Sequence, residues 1–287
     1  MNGFFLIDKP KSMSSAGVLR KMKHKLRAAR LGHGGTLDPM ATGLLVVACG
    51  KATKLLRFSM GANKAYDAKI MLGQSTDTED ALGEVTARAA WEHVSKERLI
   101  EALNAFRGEI LQTPPRYSAL HVDGRRAYEL ARSGKEFELA ARKIHVMSLE
   151  LLDFAAPEFS LRIHCSGGTY IRSLARDLGL ALNSLAHLTA LRRIKSGHFE
   201  LGNAVSLAEF LDSDPANFLI TPYDAMSPYP AIRLSPDDLR RLQNGLEFTL
   251  PKLESGLYRL CAANEERLAA MLSINEEQKR DIIRFNP

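Results

Sequence analysis

One carboxylate stands out among the side chains that could do chemistry. Asp38 lies in the stretch Gly32-His33-Gly34-Gly35-Thr36-Leu37-Asp38-Pro39-Met40-Ala41-Thr42-Gly43, which holds four glycines in twelve residues. Apolar Leu37 and Pro39 flank the acid. Glycine lets such a loop bend tightly and lets a ligand approach the backbone. An acid held there can act as a nucleophile or as a proton acceptor. The Asp-Pro pair also suits an ordinary turn, so residue chemistry alone leaves both readings open. Two other readings fail on spacing. A P-loop built on Gly50-Lys51 needs glycine at position 45 and serine or threonine at 52, where the chain has Leu45 and Ala52. The aspartate-phosphatase pattern fails because Met40 stands two places after Asp38. The histidines at positions 24, 33, 93, 121, 145, 164, 187 and 198 form no H-x-x-x-H or H-E-x-x-H pair. No metal site is expected from them.

The elements that must hold this loop can be read on either side of it. Residues 3–8 form a short buried strand ending at Lys9-Pro10. Ser14 or Ser15 can cap a helix running to about residue 29, with Val18, Met22 and Leu26 on one face. After the loop, residues 44–48 are an apolar run of strand length, 51–60 a short helix and 65–72 an alternating strand. Residues 74–83 read as a polar turn. Over 84–150 the pattern is strand, helix (95–105), strand, a Pro-Pro loop at 114–115, helix (125–133) and strand. Residues 148–154 and 159–165 pair around Ala156-Pro157. Gly167-Gly168 opens a helix over 169–183, and 188–199 returns to extended chain. Proline density at Pro228-Tyr229-Pro230 marks a linker. Interspersed strands and helices with hairpin spacings predict an α+β fold with a mixed, largely antiparallel sheet flanked by helices. Two domains are expected, at residues 1–228 and 229–287.

The 287 residues carry a net charge of +6, which suits a polyanionic partner. Eight Lys or Arg and no acid lie between Lys9 and Leu37, whereas residues 230–287 hold nine basic and nine acidic side chains. The excess therefore surrounds the Gly-rich loop, where it can meet phosphates as well as form a solvated helix face. Cys49, Cys165 and Cys261 are scattered and include no C-x-x-C pair, which predicts a reduced, cytoplasmic setting without structural zinc. Charge arrives too early for a signal peptide, and no run has the length of a membrane span. Membrane association is not expected.

The segment GHGGTLDPMATGLLVVACGKATKLL closely resembles the signature of the TruB family of pseudouridine synthases. Four further segments are similar to that family in order. They are Lys64-Ala65-Tyr66 with Leu72 to Asp80, then Gln112 to Ala119, Cys165 to Arg172, and Leu188 to Arg193. The resemblance spans residues 3 to about 226. It implies a pseudouridine synthase fold with a small PUA-like domain at the carboxy end. It makes Asp38 the catalytic carboxylate and assigns substrate contacts to His33, Tyr66, Tyr170, Arg172 and Leu191. His33 would wedge the RNA loop, Tyr66 would stack on a flipped base and Leu191 would supply an apolar wall. Arg172 would be the charge partner of Asp38.

The reaction so implied breaks the N1–C1′ bond of a uridine, turns the base and joins C5 to C1′. It has no redox change and needs no cofactor. The expected partner is the T-arm stem-loop of tRNA, with no obligate protein partner. A tRNA-folding chaperone, with catalysis secondary or lost, is the rival reading. So is a synthase of the same chemistry directed to ribosomal RNA by a guide, which would work inside a protein complex.

Overall fold

Two apolar runs that do not alternate lie at the centre of the molecule. In β1 (Gly3–Lys9) and β3 (Thr42–Cys49), Phe4, Leu6, Leu44 and Val46 pack to one side, and Phe5, Ile7, Leu45 and Val47 to the other. Both faces are buried, so apolarity there is continuous rather than of period two. The computed structural model describes residues 1–27, 30–122, 124–263 and 265–285.

Between β1 and β3 come α1 (Ser15–Leu26) and the short strand β2 (Leu31–His33). A 3₁₀ turn (Gly50–Leu56) runs into α2 (Arg57–Met60) and then β4 (Lys64–Leu72). The hairpin β5 (Gln74–Thr76) and β6 (Val85–Arg88) precedes α3 (Lys96–Asn104) and β7 (Gly108–Gln112). An insertion carries β8 (His121–Val122), β9 (Arg125–Arg126) and α4 (Ala127–Arg132). The long hairpin β10 (Arg142–Ala155) and β11 (Glu158–Cys165) leads to α5 (Ile171–Ala181) and β12 (Ala186–Ser196). Next are β13 (Phe199–Glu200), β14 (Val205–Ser206), α6 (Leu207–Asp212) and α7 (Pro222–Ala225). The last part holds β15 (Ala231–Leu234), α8 (Pro236–Gln243), β16 (Gly256–Ala262), β17 (Leu268–Ile274) and β18 (Arg280–Arg284).

The main sheet has the order β14-β1-β3-β12-β4-β11-β10-β7. Only the β1–β14 and β3–β12 pairs along it are parallel. The expected mixed, largely antiparallel sheet is thus two antiparallel halves joined at a parallel seam. Helices α3 and α5 cover the β4–β10–β11–β12 half through Leu99, Leu103, Leu174 and Leu178. Helices α1 and α6 cover one face of β1 and β3. The other face meets the carboxy-terminal sheet, order β15-β16-β17-β18, through Cys261, Leu268, Met271 and Phe285.

Local departures from the sequence reading have local causes. Helix α1 stops at Leu26 because Arg27 takes a left-handed conformation and its N–H bonds back to His24 and Lys23; Ala28 and Ala29 lie outside the described residues. The expected loop over 32–43 begins as strand, since β2 adds to the edge of β3. The expected turn over 74–83 likewise begins as β5, and the helix expected over 125–133 begins only after β9, at Ala127. The Pro228–Pro230 stretch is packed rather than free: the Tyr229 ring meets Phe58 edge-on, and its carbonyl accepts from Arg259.

At the parallel seam Arg193 lies beside Gly43, whose φ is +97°. A Cβ on Gly43 would lie 2.3 Å from the Arg193 carbonyl oxygen. Backbone cannot yield there as a side-chain tip can. Gly43→Ala should lower the unfolding free energy by about 3 kcal/mol or more in urea denaturation, through strain and clash together.

Candidate active site

The Gly-rich loop is held from three directions before any ligand arrives. The Ser15 hydroxyl, at the start of α1, accepts from the Leu37 amide at 2.8 Å and donates to the Leu37 carbonyl at 3.0 Å. The Gly34 amide donates to Val46 on β3 at 2.9 Å, and the Ser12 amide to Pro39 at 2.8 Å. Arg193 reaches under the loop from β12, donating to Leu44 (2.7 Å), Gly35 (3.0 Å) and Thr36 (3.4 Å) carbonyls. It is the largest fully buried side chain in the protein. Lys9, also fully buried, donates to the carbonyls of Met13 (2.6 Å), Pro10 (3.0 Å) and Pro39 (3.5 Å). Lys64 closes the far side with bonds to the Ala62 and Met60 carbonyls at 2.8 and 3.1 Å.

This setting leaves Asp38 about one-third exposed, at 31 %, against an Arg172 side chain that is 5 % exposed. Arg172 Nε lies 2.9 Å from Asp38 Oδ2, a close ion contact, and Nη2 donates to Oδ1 at 3.2 Å. Nη1 and Nη2 of Arg172 also donate to the Thr78 and Tyr117 carbonyls, each at 2.9 Å. Asp80 stands 3.8 Å from the same guanidinium. One hydrogen bond and a close ion contact to Asp38, the nearby Asp80 carboxylate and two carbonyls offset the cost of burying this cation, although its Nε–H lacks a well-aligned acceptor.

Tyr66 on β4 is buried and faces Arg193 across the β4–β12 ladder, and Leu191 faces Ala68 two residues on. Leu37, Met40, Tyr66, Ile171 and Leu191 belong to one buried apolar cluster. Burial raises the Tyr66 phenol well above its ordinary value, with the Arg193 guanidinium opposing. Tyr170 sits at the N-cap of α5, its backbone N–H and carbonyl both bonded to the Gln112 amide at 2.8 and 3.0 Å. The Arg142 guanidinium stacks 4.8 Å from the Tyr170 ring centroid. His33, half-buried on β2, is held below its ordinary pKa by burial and by Arg193. Four residues lie between it and Asp38, and no bond between the two is found among the described residues. The fold thus joins Asp38 directly to Arg172 and packs Tyr66 and Leu191 in the same apolar cluster as Leu37 and Met40, which lie on either side of Asp38 in the chain; no hydrogen bond joins His33 or Tyr170 to Asp38 among the described residues.

Lys9, Ser15, Arg193, Gln112 and the Glu79–Arg176 pair hold this arrangement, and sequence reasoning gave none of them a part in positioning Asp38 or Arg172. Arg193 had a signal: it shares the buried face of β12 with Leu191, while Arg192 on the opposite face pairs with Asp8 at 2.6 Å. An arginine on the apolar side of a strand needs partners inside the protein. Two clefts of about 590 and 560 Å³ open elsewhere, and neither is lined by Asp38 or Arg172. Among the described residues no group of three or more His, Cys, Asp or Glu is placed to hold a metal ion. No helix there is long and apolar enough to cross a membrane.

The fold is that of the pseudouridine synthases. The chain resembles one in the Cbf5–Nop10–Gar1 crystal structure with a TM-score of 0.75 and 24% identity, over 99% of this chain and 84% of that one. A chain of an H/ACA RNP bound to a substrate RNA containing 2′-deoxyuridine gives 0.73 and 23% identity, over 99% of this chain and 85% of that one. The model for the N-terminal domain of TruB family pseudouridylate synthases matches residues 23–171, and that for the tRNA pseudouridylate synthase B C-terminal domain matches 172–224. The tRNA pseudouridine synthase B of Azoarcus sp. (strain BH72) is 45% identical, over 91% of this chain and 87% of that protein. Its counterpart in Mycobacterium ulcerans (strain Agy99) is 40% identical, over 99% of this chain and 95% of that protein. The chain belongs to the TruB family of pseudouridylate synthases.

The buried cations around the loop leave a signature in pH. Burial lowers Lys64 to about 8, and Arg193 adds to the effect. The unfolded chain keeps that proton to near the ordinary 10.5. Between these values the unfolded state binds more protons, so stability contributed by Lys64 rises with pH. Relative to Lys64→Met, wild type should gain at most ~3 kcal/mol of unfolding free energy across that window, measured by urea titration at each pH.

Proposed function

We propose that this chain converts the T-loop uridine at position 55 of tRNA to pseudouridine, with Asp38 as the catalytic carboxylate. The observation that carries the reading is the buried Arg172 guanidinium set against both oxygens of the Asp38 carboxylate, by one hydrogen bond and one close ion contact. Its relatives bear the name tRNA pseudouridine synthase B, which supports tRNA as the substrate. The carboxylate either attacks C1′ or removes a ribose proton while the N1–C1′ bond breaks. After the base turns, C5 bonds to C1′ as the Asp38–C1′ bond breaks on the first route or the ribose proton returns on the second; the C5 proton then leaves and N1 gains one. Atoms balance with no oxidant and no cofactor. Both routes use the ionised carboxylate, and the guanidinium at 2.9 Å is complementary to its charge.

The target base must leave its stack to reach Asp38. In this reading Tyr66 and Leu191 form the floor beneath it, Tyr170 lines the edge and His33 props the RNA loop open. The exposed basic residues of α1, with Lys21 and Lys23 among them, hold phosphates, while loop shape specifies the target. Residues 1–228 are the catalytic domain, and 229–287 the small PUA-like one.

An unmodified tRNA transcript, incubated with wild type and with Asp38→Asn and then sequenced for pseudouridine, tests this. Wild type should give product at one T-loop uridine. Asp38→Asn should lose at least about a thousandfold in rate while binding tRNA as tightly. Turnover by Asp38→Asn would remove Asp38 from catalysis. Tight binding without product by wild type would favour the chaperone reading.

A further inference from the structure

Arg172 has a second arginine one helical turn along α5. Residues four apart share a helix face, and Arg176 points into the same crevice. The two arginines make parallel sets of bonds. Arg172 donates to the Thr78 carbonyl and to the Tyr117 carbonyl. Arg176 pairs with the adjacent Glu79 at 2.5 Å and donates to the Thr113 carbonyl at 3.0 Å. Glu79 is completed by the Ser173 hydroxyl at 3.2 Å, on the same helix, and Arg176 by Asp177 at 2.8 Å. The side chains of Glu79 and Arg176 are only 15 % and 27 % exposed, so their pairing is shielded from solvent.

Glu79 is also held in a conformation that non-glycine residues rarely adopt, with φ at +61°. Its neighbour Thr78 supplies one of the two carbonyls that Arg172 uses. The other comes from Tyr117, at the start of the insertion between β7 and β10. That insertion is fastened to α5 at Gln112 and again, through Arg176, at Thr113. Neither Glu79 nor Arg176 reaches Asp38. Together they tie down both segments that orient the group which does.

We propose that Glu79 and Arg176 act as one ion-paired rung that positions Arg172 for the reaction, by fixing the two segments whose carbonyls aim its guanidinium at Asp38. This rests on Asp38 being the catalytic carboxylate. A misplacement of this kind weakens catalysis more than binding. A pair acting as a unit also shows strong non-additivity.

The test compares wild type, Glu79→Ala, Arg176→Ala, the double variant and the conservative Glu79→Gln, with kcat and KM on tRNA and the unfolding midpoint of each. Each alanine variant should lose about 10- to 100-fold in kcat with KM within about twofold, and the double variant should be no worse than either single. Glu79→Gln, which still accepts from Arg176 and Ser173, should retain most of kcat. Wild-type kcat in the alanine variants, additive losses, or an effect on KM alone would overturn the proposal. The second readout needs no turnover: the Arg172 Nε–H signal in ¹⁵N NMR spectra, assigned by its loss in Arg172→Lys. It should shift and broaden in Glu79→Ala and Arg176→Ala and stay in place in Glu79→Gln. An unmoved signal in folded alanine variants refutes the rung even if kcat falls. If wild type makes no pseudouridine, the functional reading fails and this signal alone decides the positioning.

Discussion

The need to satisfy one buried guanidinium organises the site. Arg172 has almost no contact with solvent, and an unpaired cation in that position would cost several kcal/mol. Its partners come from three remote stretches: Asp38 after β2, Thr78 after β5, and Tyr117 after β7. None of these lies near α5 in sequence, so the bonds of Arg172 exist only when the sheet is complete. Removing one partner is more harmful than the pair is favourable, because the others are left buried and unmet. The geometry at Asp38 is therefore a property of the whole fold rather than of its loop.

Behind that pair lies a second constraint. Lys9, Lys64 and Arg193 are buried, yet their recorded hydrogen bonds go to main-chain carbonyls rather than carboxylates. Carbonyls can satisfy these donors without placing a further acid beside Arg172, which already has Asp38 at 2.9 Å and Asp80 at 3.8 Å. The cost appears in the two lysines, which burial drives down to about 8. The same arrangement places positive charge beneath the Asp38 loop, which suits a polyanionic ligand. Stability given up in the floor of the site thus serves the shape and charge of its surface.

Legibility in the sequence followed the range of the physics. The buried strands at Gly3–Lys9 and Thr42–Cys49 were visible because burial on both faces writes continuous apolarity into the chain. Asp38, Tyr66, Arg172 and Leu191 could be named from motif resemblance, and the mixed sheet from element order. The parallel seam at β3–β12 could not, because it rests on the pairing of two residues with partners about 150 positions away. Lys9 read as the polar end of a strand, since only the folded loop supplies the carbonyls that let it turn inward. Strand β2 was hidden inside a Gly-rich run whose composition signals a loop, while its pairing is decided by the free edge of β3. Two-residue strands such as β8 and β9 have no period to detect at all.

The carboxy-terminal sheet offers a resolution of its zero net charge. A surface meant chiefly to grip phosphates would carry an excess of basic residues, and residues 230–287 carry none. What they supply is cover for apolar surface. Cys261, Leu268, Met271 and Phe285 share a core with Phe4, Leu6, Leu44 and Val46, on the face of β1 and β3 opposite α1. Arg259 reinforces the join by bonding the Tyr229 and Tyr223 carbonyls and stacking on the Tyr223 ring. Strand β3 begins where the Asp38 loop ends, and its burial on both faces requires something on that side. A neutral carboxy-terminal segment that seals β1 and β3 stabilises the loop's anchor strand without adding charge. Its contribution to the site is thus exerted through packing behind the loop.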